Sequence, residues 1–332
     1  TYVVCNLDEG EPGTYKDRTI VQKDPHTLLE GMAICAHAIN SKKGFIYCRG
    51  EYPYVVEHLN RAIEQARNKG VLGDFDIEVR MGGGAYVCGE ETALIESIEG
   101  HRGEPRFKPP FPGVAGLWNR PTVVNNVETF ANLPEIINRG YEWFASIGAP
   151  SYPGTKVLTL SGDVVNRVAI EVPTNTTIRE VIYDFGGGIR DGKKFKAVQI
   201  GGTSGGFIPE SLLDTPIDFD SMRNIGATLG TGAVLVMDET RDMVDIVTRI
   251  AKFFEHESCG KCNPCREGTF RNFKIMTKIN RGMATVQDIE NMTLLCKVMQ
   301  KACLCGLGQA APGPIITTLQ HFRHEYERKL LA

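Results

Sequence analysis

The sequence predicts an α/β fold that passes into a helical C-terminal region, and three observations support this prediction. Residues 1 to about 150 alternate short β runs with helical periods, which is typical of a mostly parallel sheet flanked by helices. Several short strands with one helical segment among them follow, and from Asp242 onward the pattern is helical. We therefore expect three domains, at residues 1–150, 151–239 and 240–332.

Within the first domain, four segments have a clear period. Two are predicted strands, and the other two are predicted amphipathic helices, the second of which ends at a glycine cap. The strands are residues 43–48 and 76–81, and the helices are residues 27–39 and 54–70. A loop rich in proline and glycine then crosses the domain at residues 103–121. This loop is too long for a simple connector, and long loops often carry function.

The second domain has mainly the two-residue period of strands, and the third has the period of helices. The second domain is predicted from strands 156–161, 168–172, 196–201 and 233–237 and a helical segment at 177–185. The third contains four predicted helices with short links, which indicates a small bundle. One of them begins at Thr285, with Asp288 three residues on, in the manner of a capping box. The last helix is predicted from the spacing of Ile315, Leu319, Phe322 and Tyr326.

Composition limits the classes of function. The chain has 332 residues, of which 42% are hydrophobic and 23% charged, and a formal net charge of −3. This balance argues against a nucleic-acid binder, which would carry a basic face. No apolar run approaches the roughly 18–20 residues that span a bilayer, so we expect a cytoplasmic protein, at most peripheral to a membrane complex. Thr1 opens directly into an apolar stretch, and we expect that an upstream part is missing.

The distribution of the ten cysteines is more informative than their number. Cys5, Cys35, Cys48 and Cys88 lie singly in apolar surroundings and are predicted to be buried as small hydrophobic residues. The other six lie between residues 259 and 305. Such clustering indicates metal ligation in a reducing compartment.

Three of the clustered cysteines, Cys259, Cys262 and Cys265, form a Cys-x2-Cys-x2-Cys run. Structural zinc usually takes two separated pairs, and a second pair is not evident here. An iron–sulfur cubane needs four thiolates, three of which this loop can supply while a distant cysteine supplies the fourth. The spacing favours the cluster, with a zinc site and redox-active thiols as the alternatives.

The fourth ligand is one of three remote cysteines. Cys296 lies on the apolar side of a predicted helix and is interpreted as core. Cys305 lies in LCGLGQAAPGP, where the glycines free the backbone to curl around a cluster and to donate N–H groups to its sulfurs. We prefer Cys305 as the fourth ligand, and Cys303 is the alternative.

The first domain carries weaker signals of its own. Gly82 and Gly84 follow a predicted strand, but the third glycine of a dinucleotide-binding fingerprint is absent. Two loops are acidic, one with Asp8, Glu9 and Glu11 and the other with Glu90 and Glu91. Carboxylates accept hydrogen bonds from ribose or ribityl hydroxyls. A solvated loop and the negative residues of a helix N-terminus explain them equally well.

Four motifs together resemble a known family. They are CNLDEGEPGTYKDR (5–18), GGGAYVCGEETALIESIEG (82–100), KPPFPGVAGLWNRPTVVNNVET (108–129), and ESCGKCNPCREG followed by LCGLGQAAPGP. The chain resembles, over nearly its whole length, the NADH-oxidising flavoprotein subunit of respiratory complex I. Its relatives are the flavin subunits of NAD-linked hydrogenases, including electron-bifurcating ones, and of NAD-linked formate dehydrogenases.

The resemblance implies a Rossmann-like FMN-binding domain, a small β-grasp domain and a C-terminal four-helix bundle with a [4Fe–4S] cluster. It implies cluster ligands at Cys259, Cys262, Cys265 and Cys305. The implied FMN and NAD(H) residues are Asn6, Asp8, Glu9, Glu11, Tyr86, Gly89, Glu90, Glu91, Lys108, Phe111, Asn125, Asn126 and Thr129. Glu91 would support the nicotinamide ribose, and no side chain need act as acid or base. The family's glycine-rich loop upstream of the first motif is not in this chain. For the asparagines, a helix N-cap at Asn126 is the alternative interpretation.

The expected function is that of a flavoprotein subunit of an NAD(H)-dependent oxidoreductase. NAD(H) exchanges a hydride with FMN, and electrons pass singly through the cluster to other subunits, in either direction. A thioredoxin-like [2Fe–2S] subunit and a catalytic iron–sulfur subunit are the expected partners, without nucleic acid or membrane insertion. The motif LCGLGQAAPGP favours a hydrogenase or formate dehydrogenase complex over complex I. A flavin-free iron–sulfur relay and a zinc-containing assembly subunit are the rival classes.

Overall fold

The computed structural model describes residues 1–331 and is a mixed α/β structure with a parallel sheet and a helical C-terminal region. It separates into two compact units. The first contains residues 1–10 and 15–146, and the second contains residues 11–14 and the chain from Ile147 onward. Among residues 1–331, no helix is both long and apolar enough to cross a bilayer.

A four-stranded parallel sheet forms the frame of the first unit. Its strands are β1 (Tyr2–Leu7), β2 (Lys43–Cys48), β3 (Asp76–Met81) and β4 (Thr122–Asn126). Their order is β3-β2-β1-β4, and every pairing is parallel. The two predicted strands are confirmed. The prediction did not include β1 and β4, which complete the sheet.

Helices cover this sheet. They are α1 (Lys16–Lys23), α2 (Pro25–Ala38), α3 (Pro53–Asn68), α4 (Glu91–Ile98), α5 (Pro112–Ala115), α6 (Val127–Arg139) and α7 (Tyr141–Ala145). The two predicted helices correspond to α2 and α3, with ends that differ by one or two residues. The buried face of α3 follows the helical period, at Val55, Leu59, Ala62, Ile63 and Ala66. This periodicity is why the sequence predicted the helix.

A mixed sheet forms the frame of the second unit. Its strands are β5 (Gly148–Ala149), β6 (Tyr152–Pro153), β7 (Thr155–Gly162), β8 (Ala169–Pro173), β9 (Phe195–Ile200), β10 (Phe207–Pro209) and β11 (Ala233–Asp238). β5 and β6 pair with each other, and the rest form one sheet in the order β10-β9-β11-β7-β8. The central strand β11 is parallel to β7 and antiparallel to β9. All four predicted strands are confirmed.

Two short helices accompany this sheet, and helices dominate the remainder of the unit. The helices are α8 (Ile178–Glu180), α9 (Phe219–Asn224), α10 (Met243–Glu257), α11 (Asn263–Asn280), α12 (Val286–Ala302), α13 (Gly306–Ala310), α14 (Gly313–His321) and α15 (Arg323–Glu327). A wider helical turn, Val181–Phe185, continues α8, so the predicted segment 177–185 is confirmed. The capping box at Thr285 and Asp288 is confirmed as well.

The prediction of one continuous last helix was wrong. The chain forms α14 and α15 instead, because Phe322 has φ −129° and ψ 28° and leaves the helical region. The Thr318 hydroxyl and the Tyr326 hydroxyl then form a buried hydrogen bond of 2.6 Å. Phe322 and Tyr326 are both buried. The predicted apolar positions thus remain in the core although the helix is interrupted between them.

A close contact between α2 and α6 yields a test of the fold. A Cβ atom at Gly31 would lie 2.0 Å from the Phe130 carbonyl oxygen, so Gly31→Ala must displace backbone. We expect it to destabilise the first unit by about 1–3 kcal/mol. Both tryptophans of the chain, Trp118 and Trp143, lie in this unit, so their fluorescence during urea unfolding measures it. Gly113→Ala, where a Cβ meets nothing within 4 Å, is the matched control. Equal stability of the two variants would contradict the prediction.

Candidate functional site

The first candidate site lies at the carboxyl ends of neighbouring parallel strands. Asn6 lies near the end of β1, and Asn126 is the last residue of β4. The Asn126 amide donates to the Asn6 carbonyl oxygen at 3.2 Å, and the Asn6 amide donates to the Gly89 carbonyl oxygen at 2.9 Å. The structure therefore brings three of the expected site residues together at one edge. This edge is where open α/β sheets bind ligands.

A cation and two carboxylates form the side of this site nearest α4. Glu90 is the N-cap of α4 and accepts hydrogen bonds from the backbone N–H groups of Thr92 and Ala93, both at 2.9 Å. The Lys108 ammonium lies 2.9 Å from Glu90 and 2.7 Å from Glu91. Burial favours a higher pKa for Glu90, but hydrogen bonds from Thr92 and Lys108 outweigh burial and hold this pKa below its usual value. Both glutamates thus lie beside one cation.

Glu9 has a structural partner that the sequence did not indicate. Its two carboxylate oxygens accept hydrogen bonds from the backbone N–H groups of Asp17, at 2.7 Å, and Arg18, at 3.3 Å. Glu9 therefore binds the first turn of α1, where free N–H groups and the helix dipole favour an anion. Burial, and then the nearby Asp17 carboxylate, raise the pKa of Glu9 to about 7.

A buried ion cluster behind the two asparagines was missed by sequence reasoning. The Lys16 ammonium lies 2.6 Å from Asp17, 3.0 Å from Glu128 and 2.8 Å from the Asn126 side-chain oxygen. Burial opposes the charge on Lys16, but Asp17 and Glu128 outweigh burial and raise its pKa. The N-cap interpretation of Asn126 is confirmed, since its side chain also accepts from the Glu128 N–H at 3.1 Å. The sequence offered one indication of this cluster, namely that a lysine and an aspartate, Lys16 and Asp17, are adjacent.

Arg49 is a second residue that the sequence did not single out. It follows β2 directly, is 8% exposed, and binds Glu51 through Nε at 2.9 Å. Its Nη1 atom is buried, lies 3.9 Å from Asp8, and has no hydrogen-bond partner among residues 1–331. A Cβ at Gly10 would lie 2.0 Å from this Nη1 atom, so only glycine leaves room for the guanidinium. A buried donor left open at this edge suits a carbonyl or phosphate oxygen of a bound flavin nucleotide.

The other expected residues of the first unit differ in their burial. Tyr86 is half-buried in the short turn Tyr86–Gly89, and Asn125 is half-buried in β4. Thr129 is exposed in the first turn of α6, and Phe111 is 59% exposed before α5. Glu11 belongs to the second unit, where its carboxylate accepts a hydrogen bond from the Thr203 backbone N–H.

The second candidate site gathers thiols at the ends of the long helices. Cys259 lies in the loop between α10 and α11, Cys262 is the N-cap of α11, and Cys265 lies in its first turn. Cys303 follows α12 directly, and Cys305 is the N-cap of α13. The two parts meet, because a Cβ atom at Gly308 would lie 2.7 Å from the Cys303 sulfur and 3.0 Å from the Cys265 Cβ. The neighbouring Cys303 thiol lowers the pKa of Cys265 to about 6.

Cys305 and Cys296 differ in their surroundings. Burial raises the pKa of Cys305, whereas the nearby backbone N–H groups of Leu307 and Gly308, at the start of α13, act in the opposite direction. Cys296 is fully buried, accepts a hydrogen bond from the Asn272 amide at 3.6 Å, and has a pKa raised to about 12 by burial. The prediction of Cys296 as a core residue is confirmed.

The spacing of the thiols tests which metal group they fit. One tetrahedral zinc needs sulfurs about 3.8 Å apart, given Zn–S bonds of about 2.3 Å. Among residues 1–331, no three cysteine sulfurs lie within 4.8 Å of one another. The set that does satisfy this limit is Glu96, Glu99 and His101, whose two carboxylates already pair with Arg106. An all-thiol donor set of this kind suits an iron–sulfur cubane, in which each thiolate binds its own iron.

Two family models match regions of this chain. Residues 1–135 match the Nuo51 FMN-binding domain, and residues 245–329 match the NADH-ubiquinone oxidoreductase-F iron–sulfur binding region. The HndC subunit of the NADP-reducing hydrogenase of Solidesulfovibrio fructosivorans is 48% identical over 98% of this chain and 68% of its own length. An NADH-quinone oxidoreductase subunit of Aquifex aeolicus is 47% identical over 98% of this chain and 77% of its own length.

A solved structure agrees as well. An NAD⁺-reducing [NiFe]-hydrogenase in the H₂-reduced state matches with a TM-score of 0.93 and 39% identity, over 99% of this chain. The chain spans 56% of the length of that hydrogenase chain.

The fold and the two sites define an NAD(H)-dependent flavin and iron–sulfur oxidoreductase subunit. The chain belongs to the family of NADH-oxidising flavoprotein subunits that complex I shares with NAD-linked hydrogenases, and the cofactors of this family are FMN, NAD(H) and a [4Fe–4S] cluster. The family resemblance found in the sequence is thereby confirmed. The relatives are subunits of multi-subunit complexes.

The raised pKa of Glu9 predicts a pH-dependent stability. Its pKa is about 7 in the folded chain against an ordinary value of 4.5, so the folded state binds the extra proton between these pH values. Stability therefore falls as pH rises from 4.5 to 7, by about 3 kcal/mol at most. Glu9→Gln removes this loss, so the variant gains stability relative to the unmodified chain between pH 5 and pH 8. Tryptophan fluorescence during urea unfolding measures the difference.

Glu57→Gln, at an exposed position of α3, is the matched control for this substitution. Its stability should follow that of the unmodified chain at every pH. Parallel stability curves for Glu9→Gln and the unmodified chain would show that Glu9 is ionised in the folded state throughout this range.

Proposed function

We propose that this chain is the subunit of a hetero-oligomeric redox complex that oxidises NADH or, in the reverse direction, reduces NAD⁺. A hydride passes between NAD(H) and FMN, and single electrons pass through the cluster to or from partner subunits. The observation that carries the proposal is that one chain of this family assembles both an edge of polar side chains in an FMN-binding domain and a gathered set of thiols in an iron–sulfur region.

The protein's part in this chemistry is binding and orientation. When bound, FMN supplies hydride transfer and the cluster supplies one-electron transfer. Asn6, Asp8 and Glu9 are proposed to line the flavin, together with Asn125, Asn126 and Thr129. Arg49 adds a cation with an open donor at this edge. The contacts of Glu9 with α1 indicate that it shapes the loop as well as the pocket.

A second group of residues is proposed to bind the nicotinamide nucleotide. Tyr86, Gly89, Glu90 and Glu91 form its wall, with Glu91 at the nicotinamide ribose. The nucleotide contact of Glu11, which belongs to the second unit, stays a prediction of the family resemblance. Lys108 is now paired with two glutamates, and it can exchange one of these partners for a phosphate oxygen. Phe111 is 59% exposed and offers a ring on which adenine can stack.

The cluster is proposed to be held by Cys259, Cys262, Cys265 and Cys305. The position of Cys305 at the N-terminus of α13 supports this choice, because the free N–H groups of a helix start favour a thiolate. Cys303 is the alternative, since its thiol contacts Cys265. A Cβ at Gly308 would lie 2.7 Å from the Cys303 sulfur, so the glycine is required for this close approach.

We also propose the finer domain layout. In this layout, residues 1–150 are a Rossmann-like FMN-binding domain. The sheet order is β10-β9-β11-β7-β8, and its interior strands β7 and β11 are parallel. Together with the helix α8 between the hairpins β7–β8 and β9–β10, this order supports a β-grasp domain at residues 151–239. The helices α10, α11, α12 and α14 would form the four-helix bundle of residues 240–332.

The parent complex is proposed to be a hydrogenase or formate dehydrogenase of the cytoplasm. The similarity to a hydrogenase subunit at 48% identity and to a solved NAD⁺-reducing hydrogenase supports this interpretation. A complex I subunit is the second candidate, because the NADH-quinone oxidoreductase subunit of Aquifex aeolicus is 47% identical. Either complex implies a thioredoxin-like [2Fe–2S] subunit and a catalytic iron–sulfur subunit as partners. Some of the hydrogenases that the sequence resembles are electron-bifurcating, and the proposed activity includes this form.

Anaerobic reconstitution with FMN, iron and sulfide tests the proposed function. We expect a flavin band near ~450 nm with a broad iron–sulfur shoulder, and bleaching of the flavin band by NADH. Lys108→Ala should bind FMN like the unmodified chain but require about tenfold more NADH for half-bleaching. Loss of FMN from Lys108→Ala, or a flavin band that NADH does not bleach, would contradict the proposal.

A pair of cysteine variants tests the ligand assignment. Cys305→Ser should lose the cluster, measured as bound iron and as the electron paramagnetic resonance signal of the reduced protein. Cys303→Ser, its matched control two residues away, should keep both signals. The FMN content of both variants should be unchanged, which shows that the chain has folded. The opposite pattern would assign the fourth ligand to Cys303.

A further inference from the structure

Charge is distributed unevenly along the chain. Residues 261–301, which contain α11 and α12, carry eight lysines and arginines against three acids, whereas the whole chain has a net charge of −3. The basic residues are Lys261, Arg266, Arg271, Lys274, Lys278, Arg281, Lys297 and Lys301, and the acids are Glu267, Asp288 and Glu290. This helical hairpin is therefore a basic element of an acidic protein.

An apolar groove lies along the same two helices. It has a volume of about 710 Å³ and is lined from α11 by Phe270 and Lys274 and from α12 by Leu294 and Val298. Phe270 is 42% exposed, Leu294 64% and Val298 46%. Single exposed apolar residues are ordinary, but a contiguous set on two packed helices is typical of an interaction surface. We call this surface the basic groove.

Lysines flank the apolar centre of the basic groove. Lys297 and Lys301 lie three and seven residues beyond Leu294 on α12, so they share its face with Val298. Within residues 1–331, neither lysine forms an ion pair. The Lys274 ammonium lies 4.3 Å from the centre of the Phe270 ring and leaves its charge available. The groove thus combines an apolar floor with cations that have no acidic partner in the described part of the chain.

The basic groove begins close to the thiols. Phe270 is five residues after Cys265 on α11, and Val298 is five residues before Cys303 at the end of α12. At a rise of about 1.5 Å per residue, each separation is about 7.5 Å along the helix axis. A protein bound in the groove would therefore lie near the proposed cluster.

We propose that the basic groove docks an acidic one-electron carrier protein, whose carboxylates surround a small apolar patch. The lysines favour an acidic partner by charge complementarity, and the apolar floor distinguishes a folded protein from a purely charged polymer. Transient redox complexes bury small areas, so a groove of this size is sufficient for one. The electron-transfer step, although not the docking, rests on the proposed function.

The redox balance is simple. NADH gives NAD⁺, one proton and two electrons, and each carrier gains one electron from the cluster. Two carrier molecules are therefore reduced for each NADH, and no bond forms between the two proteins. The reverse flow requires two reduced carriers and one proton for each NAD⁺.

Cytochrome b5, an acidic haem protein, serves as the probe, and basic cytochrome c serves as its charge-reversed counterpart. The reconstituted chain is tested for binding of oxidised cytochrome b5 and for its NADH-dependent reduction, at low and at physiological ionic strength. Lys297→Glu with Lys301→Glu should weaken binding and lower kcat/KM for cytochrome b5 by about tenfold or more at low salt. The same variant should gain activity with cytochrome c, and ferricyanide reduction should stay within about twofold.

Two further variants sharpen the test. Leu294→Ala with Val298→Ala should weaken cytochrome b5 binding while its dependence on ionic strength is unchanged, because only the apolar floor is altered. Lys23→Glu with Lys69→Glu, at exposed positions of the first unit, makes the same change of net charge and should leave cytochrome b5 binding unaffected.

Unchanged cytochrome b5 binding in Lys297→Glu with Lys301→Glu would overturn the proposal, whether or not NADH is oxidised. An equal loss in the Lys23 and Lys69 variant would overturn it as well, because net charge rather than the basic groove would then be responsible. If binding is sensitive to the groove variants but ferricyanide is not reduced by NADH, the docking proposal stands and the proposed function fails.

Discussion

The buried ammonium of Lys16 is the constraint on which the first site depends. Lys16 is 3% exposed, and its partners Asp17, Glu128 and Asn126 come from α1, α6 and the end of β4. Loss of one member of such a buried ion group typically costs about 3–5 kcal/mol, because the other charges remain without water. The three elements are therefore fixed together. Asn126 is fixed with them, and through its amide so is the end of β1.

The regular elements were predictable because their signals are local. The helical period of α3, the capping box of α12 and the alternation of strands and helices lie within a few residues of one another. The thiol set was also predictable, since most of it is one short run. The break at Phe322 was not, because the apolar spacing continues across it and only the backbone changes.

The polar contacts around the first candidate site could not be predicted from the sequence, for a different reason. Lys16 and Asn126 are 110 residues apart, and nothing near either residue indicates that they pair. Glu9 was expected at a cofactor and also caps α1, because the loop turns back toward a helix whose start lacked a capping side chain of its own. Arg49 became conspicuous only once its Nη1 atom was seen to be buried without a partner. Polar contacts between residues far apart in the chain depend on the tertiary fold, and the local periodicity of apolar residues does not indicate them.

The tetrapeptide of residues 11–14 has an implication for how such proteins change over generations. It belongs to the second unit, where Thr203 donates to the Glu11 carboxylate, Thr159 donates to the Gly13 carbonyl oxygen at 2.8 Å, and the Thr14 and Thr231 hydroxyls bond at 2.8 Å. Neither unit is thus one continuous stretch of gene. Recombination at a single linker cannot exchange them as cassettes, because four codons of the second unit lie within the first. The two halves are inherited as a pair.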